Sequence, residues 1–241
     1  HVIKSPLFFL KSWAEVLAGK RIGSMCGCPS WFCGGGQALR ANAMAMLAVA
    51  GAAVGAALGT FVQKRAGTPE MKAALLYSTT TGNTETVAGY LTAATGIEAV
   101  DIDSVDDETL SSMDALICGA PTWHTGADEQ RSGTAWDEFL YDRLPSLDLS
   151  GKKVAIFGLG DQGSYGDNFC DAAGELYDCF SAQGATMVGM TSPDDYDYSD
   201  SKALRDGQFC GLLCDEDNEY DKSEGRANDW VEQLKGEGVA F

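Results

Sequence analysis

The sequence predicts an α/β domain built on a doubly wound parallel sheet, preceded by a separate N-terminal extension. Two observations predict this class. Five short apolar stretches alternate with five helix-like stretches across residues 70–241, and loops rich in glycine or hydroxyl residues follow three of the apolar stretches. A chain of 241 residues has room for one good-sized domain and an extension, so we divide it into residues 1–69 and 70–241.

The predicted elements follow the spacing of the apolar residues. Short apolar runs bounded by turn residues predict strands at 72–77, 98–102, 115–119, 153–158 and 186–190. The stretches between and after them predict helices at 84–94, 106–111, 135–144, 169–183 and 224–235. Ligands of such sheets bind beyond the carboxyl ends of the strands. The candidate site therefore comprises loops 78–84, 120–127 and 158–168.

Loop 78–84 has the pattern of a phosphate-binding turn between a strand and a helix. Backbone N–H groups at a helix N-terminus attract anions, and hydroxyl side chains can donate to phosphate oxygens. The loop contains no Lys or Arg and does not match the P-loop motif, so it favours a monophosphate held by neutral donors. An ordinary strand-to-helix turn is the alternative. The candidate residues are Ser78, Thr79, Thr80, Thr81, Gly82, Asn83 and Thr84.

The other two loops each contribute an aromatic residue. A Trp at the carboxyl end of a strand offers a flat face, and a Tyr in loop 158–168 offers a second. With the phosphate-binding turn they predict a slot for a planar ring with a phosphorylated tail, although burial in the core is the alternative for both. The candidate residues are Pro121, Thr122, Trp123, His124, Thr125, Gly126, Gly160, Asp161, Gln162, Tyr165, Asp167 and Asn168.

Loop 158–168 also contains a G-x-G-x-x-G pattern, which by itself suggests dinucleotide binding. The pattern follows the fourth predicted strand rather than the first, and Asp161 would place a carboxylate where a pyrophosphate should lie. We therefore interpret the loop as a polar rim of the slot. No nucleophile–base pair appears in the sequence, so we predict no catalytic residues.

Charge is divided unevenly between the two parts of the chain. Residues 1–69 carry seven Lys or Arg and one acid, whereas residues 70–241 carry 10 Lys or Arg and 34 Asp or Glu, a net charge of −24. This excess argues against nucleic-acid binding and favours docking onto basic partner proteins. A surface that merely maintains solubility is the alternative.

Residues 41–62 lack charged side chains and are long enough to cross a bilayer as a helix. Gly51, Gly55 and Gly59 form a doubled G-x-x-x-G pattern, which suits close packing against another membrane helix. A targeting segment that is removed is the alternative, because residues 1–69 are basic and rich in alanine. The retained membrane anchor is the expectation that we carry forward.

The spacing of the eight cysteines does not predict a metal site. Cys26, Cys28 and Cys33 cluster in the extension, but their C-x-C-x₄-C spacing lacks a fourth ligand nearby. The other five are scattered among apolar neighbours, as expected for small buried residues in a reducing compartment. The role of the N-terminal cluster stays open.

The three loops together resemble those of flavodoxins. The resemblance rests on 78–84, on Pro121-Thr122-Trp123 and on loop 160–169, and it extends over residues 71–238. Residues 196–205, followed by 209–212, resemble the loop that interrupts the last strand of long-chain flavodoxins. Residues 126–134 resemble an insertion of flavodoxins from eukaryotic algae. The resemblance implies a five-stranded sheet in the order 2-1-3-4-5.

The resemblance also implies FMN as the cofactor and a role for each loop. The FMN phosphate would lie on Thr79, Thr80, Thr81, Asn83 and Thr84. Trp123 and Tyr165 would cover the two faces of the isoalloxazine, and Asp161 and Gln162 would contact its pyrimidine edge. The peptide that joins His124 to Thr125 matches the one that turns its carbonyl toward flavin N5–H, with Gly126 giving freedom for that motion.

A low-potential one-electron carrier is the function that the resemblance implies. We expect it in a plastid, in the stroma or anchored at the stromal side of the thylakoid membrane. It would accept electrons from photosystem I and pass them to ferredoxin-NADP reductase. An NAD(P)H:quinone reductase and a structural photosystem subunit without flavin are the alternatives.

Overall fold

The computed structural model describes residues 71–241. The expected membrane helix at 41–62, its glycine stripe and the N-terminal cysteine cluster lie outside these residues. Within 71–241, no helix combines the length and the apolar character needed to cross a membrane. In the same range, no group of three or more His, Cys, Asp or Glu side chains is placed to hold a metal ion.

A parallel sheet forms the centre of the domain, as the sequence predicts. Its first four strands are β1 (Ala73–Tyr77), β2 (Ala99–Asp101), β3 (Ala115–Pro121) and β4 (Lys153–Leu159). Together with β5 (Thr186–Val188) they run in the order β2-β1-β3-β4-β5. The predicted strand order is therefore confirmed.

The fifth strand position is occupied by two separate segments. β5 pairs with the first half of β4, and β8 (Gly211–Cys214) pairs with the second half in consecutive register. Between them the chain leaves the sheet and forms a short antiparallel hairpin of β6 (Leu204–Arg205) and β7 (Gln208–Phe209). The last strand is thus interrupted at the place where the resemblance predicts the long-chain loop.

Helices cover both faces of the sheet. On one face lie α1 (Asn83–Thr95) and α5 (Tyr220–Gly236), and on the other lie α3 (Ala135–Glu138) and α4 (Asp171–Ala182). A short helix, α2 (Asp107–Ser112), connects β2 to β3. Alternate residues of each central strand enter the two cores, which accounts for the nearly continuous apolar runs in β3 and β4.

Two predicted helices differ in detail from the observed ones. The predicted helix at 135–144 is α-helical only in α3, and it continues as a π-helical turn (Phe139–Arg143) and a 3₁₀ turn (Leu144–Ser146). Pro145 prevents a regular continuation because it lacks an N–H donor and its ring crowds the preceding turn. Helix α5 begins four residues earlier than predicted, and Glu219, its N-cap residue, pairs there with Lys222 and Arg226.

The centre of the sheet leaves no room for a side chain at Gly119 of β3. A Cβ atom at this position would overlap the ring of Phe157, which is fully buried on the adjacent strand β4. We expect Gly119→Ala to lower the free energy of unfolding by about 1–3 kcal/mol, the usual cost of overpacking a core. Urea unfolding of the full chain, followed by circular dichroism, measures this change.

Gly89→Ala is the matched control for this prediction. Gly89 lies on the exposed side of α1, where a Cβ would contact nothing within 4 Å. Alanine should therefore raise the free energy of unfolding by about 0.5–1 kcal/mol through helix propensity alone. Equal effects of the two substitutions would contradict the packing argument.

Candidate functional site

A cleft of about 430 Å³ lies at the carboxyl ends of the central strands. Its volume is within the range of about 300–1,000 Å³ typical of small-molecule and cofactor sites. All three predicted loops contribute to it, as does the segment after β8. The lining residues are Thr81, Asn83, Pro121, Thr122, Trp123, Thr125, Leu159, Gly160, Asp161, Tyr165, Asn168, Glu216 and Asp217.

The loop between β1 and α1 is arranged to receive an anion. Gly82, in the left-handed conformation, is the N-cap of α1, and no side chain caps the helix. The first N–H groups of α1 are therefore open to a ligand, at the positive end of the helix dipole. The Oγ1 atom of Thr84 is buried and has no hydrogen-bond partner among the described residues. A buried hydroxyl without a partner lowers the stability of the fold. An anion bound at this helix end would accept its hydrogen bond.

The remaining hydroxyls of this loop have different surroundings. The Oγ1 atom of Thr79 accepts a hydrogen bond from the Gly82 N–H at 2.9 Å, which shapes the turn. Ser78 is buried, and its hydroxyl donates to Asp101 Oδ2 at 3.3 Å. Thr80 is exposed and does not line the cleft. Only Thr81 and Asn83 of the seven candidates face the cleft directly.

The two predicted aromatic residues both line the cleft and are well exposed. Trp123 is 48% exposed and Tyr165 is 56% exposed, which rules out burial in the core as the role of either side chain. Their backbones are held by local hydrogen bonds. The Trp123 N–H donates to Arg131 C=O at 3.0 Å, and the Tyr165 N–H donates to Asp161 C=O at 2.9 Å. The protein thus presents two flat apolar surfaces to the same cleft.

Asp161 is held in its ionised form by donors around it. Its Oδ1 atom accepts from the Ser164 N–H and from Asn218 Nδ2, each at 2.8 Å. Burial alone would raise the pKa of Asp161, but the hydrogen bonds from Ser164 and Asn218 outweigh it and lower the pKa below its usual value. The carboxylate therefore stays charged at the rim of the cleft.

Gln162 does not line the cleft. Its N–H donates to Asp215 Oδ2 at 3.0 Å, and its Oε1 accepts from the Asp197 N–H at 2.7 Å. The side chain therefore connects loop 158–168 to the excursion, the segment 189–210 that leaves the sheet between β5 and β8. Asp167 is exposed and lies away from the cleft, whereas Asn168 lines it.

His124 and Gly126 belong to the edge of the cleft rather than its wall. The imidazole is exposed, and its Nδ1 lies 2.6 Å from Gln130 C=O and 3.9 Å from Asp137 Oδ2. Gly126 adopts a positive φ of 75°, a conformation that favours glycine. Thr125, between them, lines the cleft.

Comparison with known proteins agrees with this arrangement. The family model described as Flavodoxin matches residues 75–230. The chain belongs to the flavodoxin family. The flavodoxin of Picosynechococcus sp. is 46% identical over 168 residues, which cover 68% of this chain and 96% of the relative. A flavodoxin of Nostoc sp. is 45% identical over 169 residues, which cover 69% of this chain and 96% of the relative.

Solved structures give the same family. The crystal structure of Fusobacterium nucleatum flavodoxin bound to flavin mononucleotide is 28% identical in sequence and superposes with a TM-score of 0.62. The match covers 69% of this chain and 99% of that one. The flavodoxin fold therefore extends over the part of the chain that contains the cleft.

Sequence reasoning missed the fourth segment of this flavodoxin cleft. Glu216 and Asp217 follow β8, whose carboxyl end lies at the same edge of the sheet as that of β4. Burial raises the pKa of Glu216, and the neighbouring carboxylates of Asp215 and Asp217 raise it further. The run Gly211–Cys214, apolar and followed by acidic residues, is the signal that identifies this segment once the last strand is taken as interrupted.

Removing the Asn218 amide should change how Asp161 titrates. We expect Asn218→Ala to raise the pKa of the Asp161 carboxyl toward its ordinary value, because one of its donors is lost. A lowered pKa stabilises the folded protein above the ordinary pKa of Asp, and this stabilisation disappears as the pH falls through the folded-state pKa. The stability difference between variant and wild type should therefore shrink in acid.

Carbon-13 NMR of the aspartate carboxyls measures this titration directly. Asp148 is the internal control, because its pKa is lowered by hydrogen bonds from Ser150 and it lies outside this network. Its titration should be the same in both proteins. An unchanged pKa at Asp161 would show that Asn218 does not hold the carboxylate.

Proposed function

We propose that this protein binds FMN in the cleft and serves as a one-electron carrier. The observation that carries the proposal is the combination of an uncapped helix N-terminus, whose residues Thr81 and Asn83 line the cleft, with two exposed aromatic residues in the same cleft. The buried hydroxyl of Thr84, which has no partner among the described residues, lies at the same helix end. These features match a phosphate at one end of a ligand and a planar ring at the other. The flavin mononucleotide bound to the Fusobacterium nucleatum relative supports the same ligand.

The residues of the cleft fit the parts of FMN. The hydroxyls of Thr81 and Thr84 and the amide of Asn83, with the open N–H groups of α1, would hold the phosphate. Trp123 and Tyr165 would cover the faces of the ring. Bound FMN supplies one-electron oxidation and reduction at its isoalloxazine ring.

Charge in and around the cleft favours a low reduction potential. No Lys, Arg or His lines the cleft within residues 71–241, whereas Asp161, Glu216 and Asp217 do. A surplus of negative charge disfavours the addition of an electron, and residues 70–241 carry a net charge of −24. The protein would therefore bind the oxidised cofactor more tightly than the reduced one and act as a strong electron donor.

We propose photosystem I as the electron donor to this protein and ferredoxin-NADP reductase as its acceptor. The acidic surface of this protein favours partners with a basic docking face, because complementary charge accelerates association. The resemblance of residues 126–134 to an insertion of algal flavodoxins supports the stromal side of a plastid. Retention of 41–62 as a membrane anchor, with Gly51, Gly55 and Gly59 against a neighbouring helix, is part of the same proposal.

Reconstitution with FMN tests the carrier function. The full chain, stripped of ligand, should bind FMN at one site and, in a redox titration, take up electrons in two separate one-electron steps. A basic ferredoxin-NADP reductase with NADPH should then reduce it at a rate that falls as ionic strength rises. Absence of FMN binding would contradict the proposal and favour a structural role. Quinone reduction by NADPH without the reductase would favour the enzyme alternative.

The phosphate site makes a sharper prediction at Thr84. Thr84→Val removes the buried hydroxyl without changing the shape of the side chain. The ligand-free protein should become more stable, by about 1 kcal/mol or more, since an unpartnered polar group leaves the interior. Affinity for FMN should fall roughly tenfold, whereas affinity for riboflavin, which has no phosphate, should not change.

Thr92→Val is the matched control, because it makes the same chemical change farther along α1 and outside the cleft. It should leave the affinities for FMN and riboflavin unchanged. Fluorescence quenching of each flavin on binding measures the affinities. Equal losses of FMN and riboflavin affinity in Thr84→Val would contradict a phosphate at this position.

A further inference from the structure

Glu175 is a buried carboxylate that the cleft itself does not use. It lies on α4, is only 4% exposed and forms no ion pair with a Lys, Arg or His of residues 71–241. Its two oxygens instead accept from the backbone. Oε1 accepts from the Gln130 N–H at 2.7 Å and Oε2 from the Arg131 N–H at 2.8 Å. Such paired acceptance compensates the cost of burying the charge.

The two residues whose N–H groups donate to Glu175 in turn accept hydrogen bonds from the segment that carries the cleft tryptophan. The carbonyl of Arg131 accepts from the N–H groups of both Trp123 and His124, each at 3.0 Å. The carbonyl of Gln130 lies 2.6 Å from His124 Nδ1. A continuous set of hydrogen bonds thus runs from the carboxylate to the backbone of Trp123.

The far side of the same loop lies close to the tryptophan. Gly133 has a positive φ of 63°, and a Cβ there would lie 2.9 Å from the Cβ of Trp123. Asp137 fixes this part of the loop, since its carboxylate accepts from the N–H groups of Ser132 and Gly133 at 3.1 and 2.9 Å. The loop 126–134 is therefore anchored to α4 through Glu175 and to α3 through Asp137.

We propose that Glu175 is a positioning residue for the ring-binding face of the cleft. By fixing the peptides of Gln130 and Arg131, it fixes the backbone of Trp123 and His124 and so sets the orientation of the indole toward a planar ligand. This inference rests on the proposed function. It also gives loop 126–134 a role, because hydrogen bonds join this loop to Glu175 of α4 on one side and to Trp123 on the other.

Glu175→Gln tests the proposal with a minimal change of shape. A carboxamide can accept one N–H through its oxygen, but its NH₂ group faces the second N–H without a bond, so one peptide is released. Affinity for FMN should fall roughly tenfold, because binding must then order the released loop and the indole that it carries. The visible circular dichroism of bound FMN and the indole N–H resonance of Trp123 in the ligand-free protein should both shift. A Trp123→Phe variant assigns that resonance.

Two control variants separate positioning from stability. Asp178→Asn removes a negative charge from the exposed side of the same helix, where Asp178 pairs with Arg205 at 2.8 Å. It should change neither the FMN spectrum nor the affinity. Tyr141→Phe removes the phenol that donates to Glu175 Oε1 at 2.5 Å. It leaves the hydrogen bonds from the Gln130 and Arg131 N–H groups to the carboxylate in place. It should lower stability while the FMN spectrum stays that of the wild type.

The two readouts distinguish this proposal from the proposed function. If wild-type protein binds no FMN, the proposed function is wrong. The indole N–H resonance of Trp123 in ligand-free Glu175→Gln still shows whether Glu175 positions the indole. If Glu175→Gln leaves the indole resonance and the FMN spectrum unchanged, the positioning role is overturned. Should that variant not fold, Glu175→Asp replaces it, because the shorter side chain withdraws the carboxylate from the Gln130 and Arg131 N–H groups and keeps its charge. An unchanged Trp123 resonance in Glu175→Asp would equally overturn the proposal.

Discussion

Parallel pairing along β4 is the interaction on which the cleft depends. This strand pairs with β3 over its whole length and with β5 and β8 in consecutive halves on its other side. Because all of these strands point the same way, their carboxyl ends meet at one edge, where four separate segments of the chain form a single cleft. Gly119 and Phe157 are partners in this pairing, and the absence of a side chain at Gly119 leaves room for the phenyl ring.

Backbone N–H groups, rather than cations, satisfy most of the buried acids around this cleft. Asp215, which is fully buried, accepts from Gln162 and from two residues of its own turn. Asp137 and Glu175 act in the same way on the loop beside Trp123. A domain with 10 basic and 34 acidic residues has few cations to place inside. Its carboxylates therefore organise loops by accepting from peptides, and the cleft keeps its negative character.

The sequence predicts the sheet and the position of the site because both depend on local patterns. The apolar runs at 115–119 and 153–158 identify the central strands, and the loops after them contain Trp123 and Tyr165. Long-range contacts are not visible in such patterns. Nothing in the neighbours of Gln162 indicates that its side chain reaches Asp197. Glu216 escapes notice for a related reason, because its strand is recognisable only when the interruption of the sheet is known.

The interruption of the fifth strand also affects how the domain meets other molecules. β5 and β8 form one edge of the sheet, and the two segments have only three and four residues. At the opposite edge, β2 has three. Long, regular edges offer rows of free N–H and C=O groups that recruit strands from other chains. In the region from 71 to 241, neither edge offers such a row. By dividing the fifth strand, the segment between β5 and β8 shortens the free edge and disfavours edge-to-edge pairing with other chains.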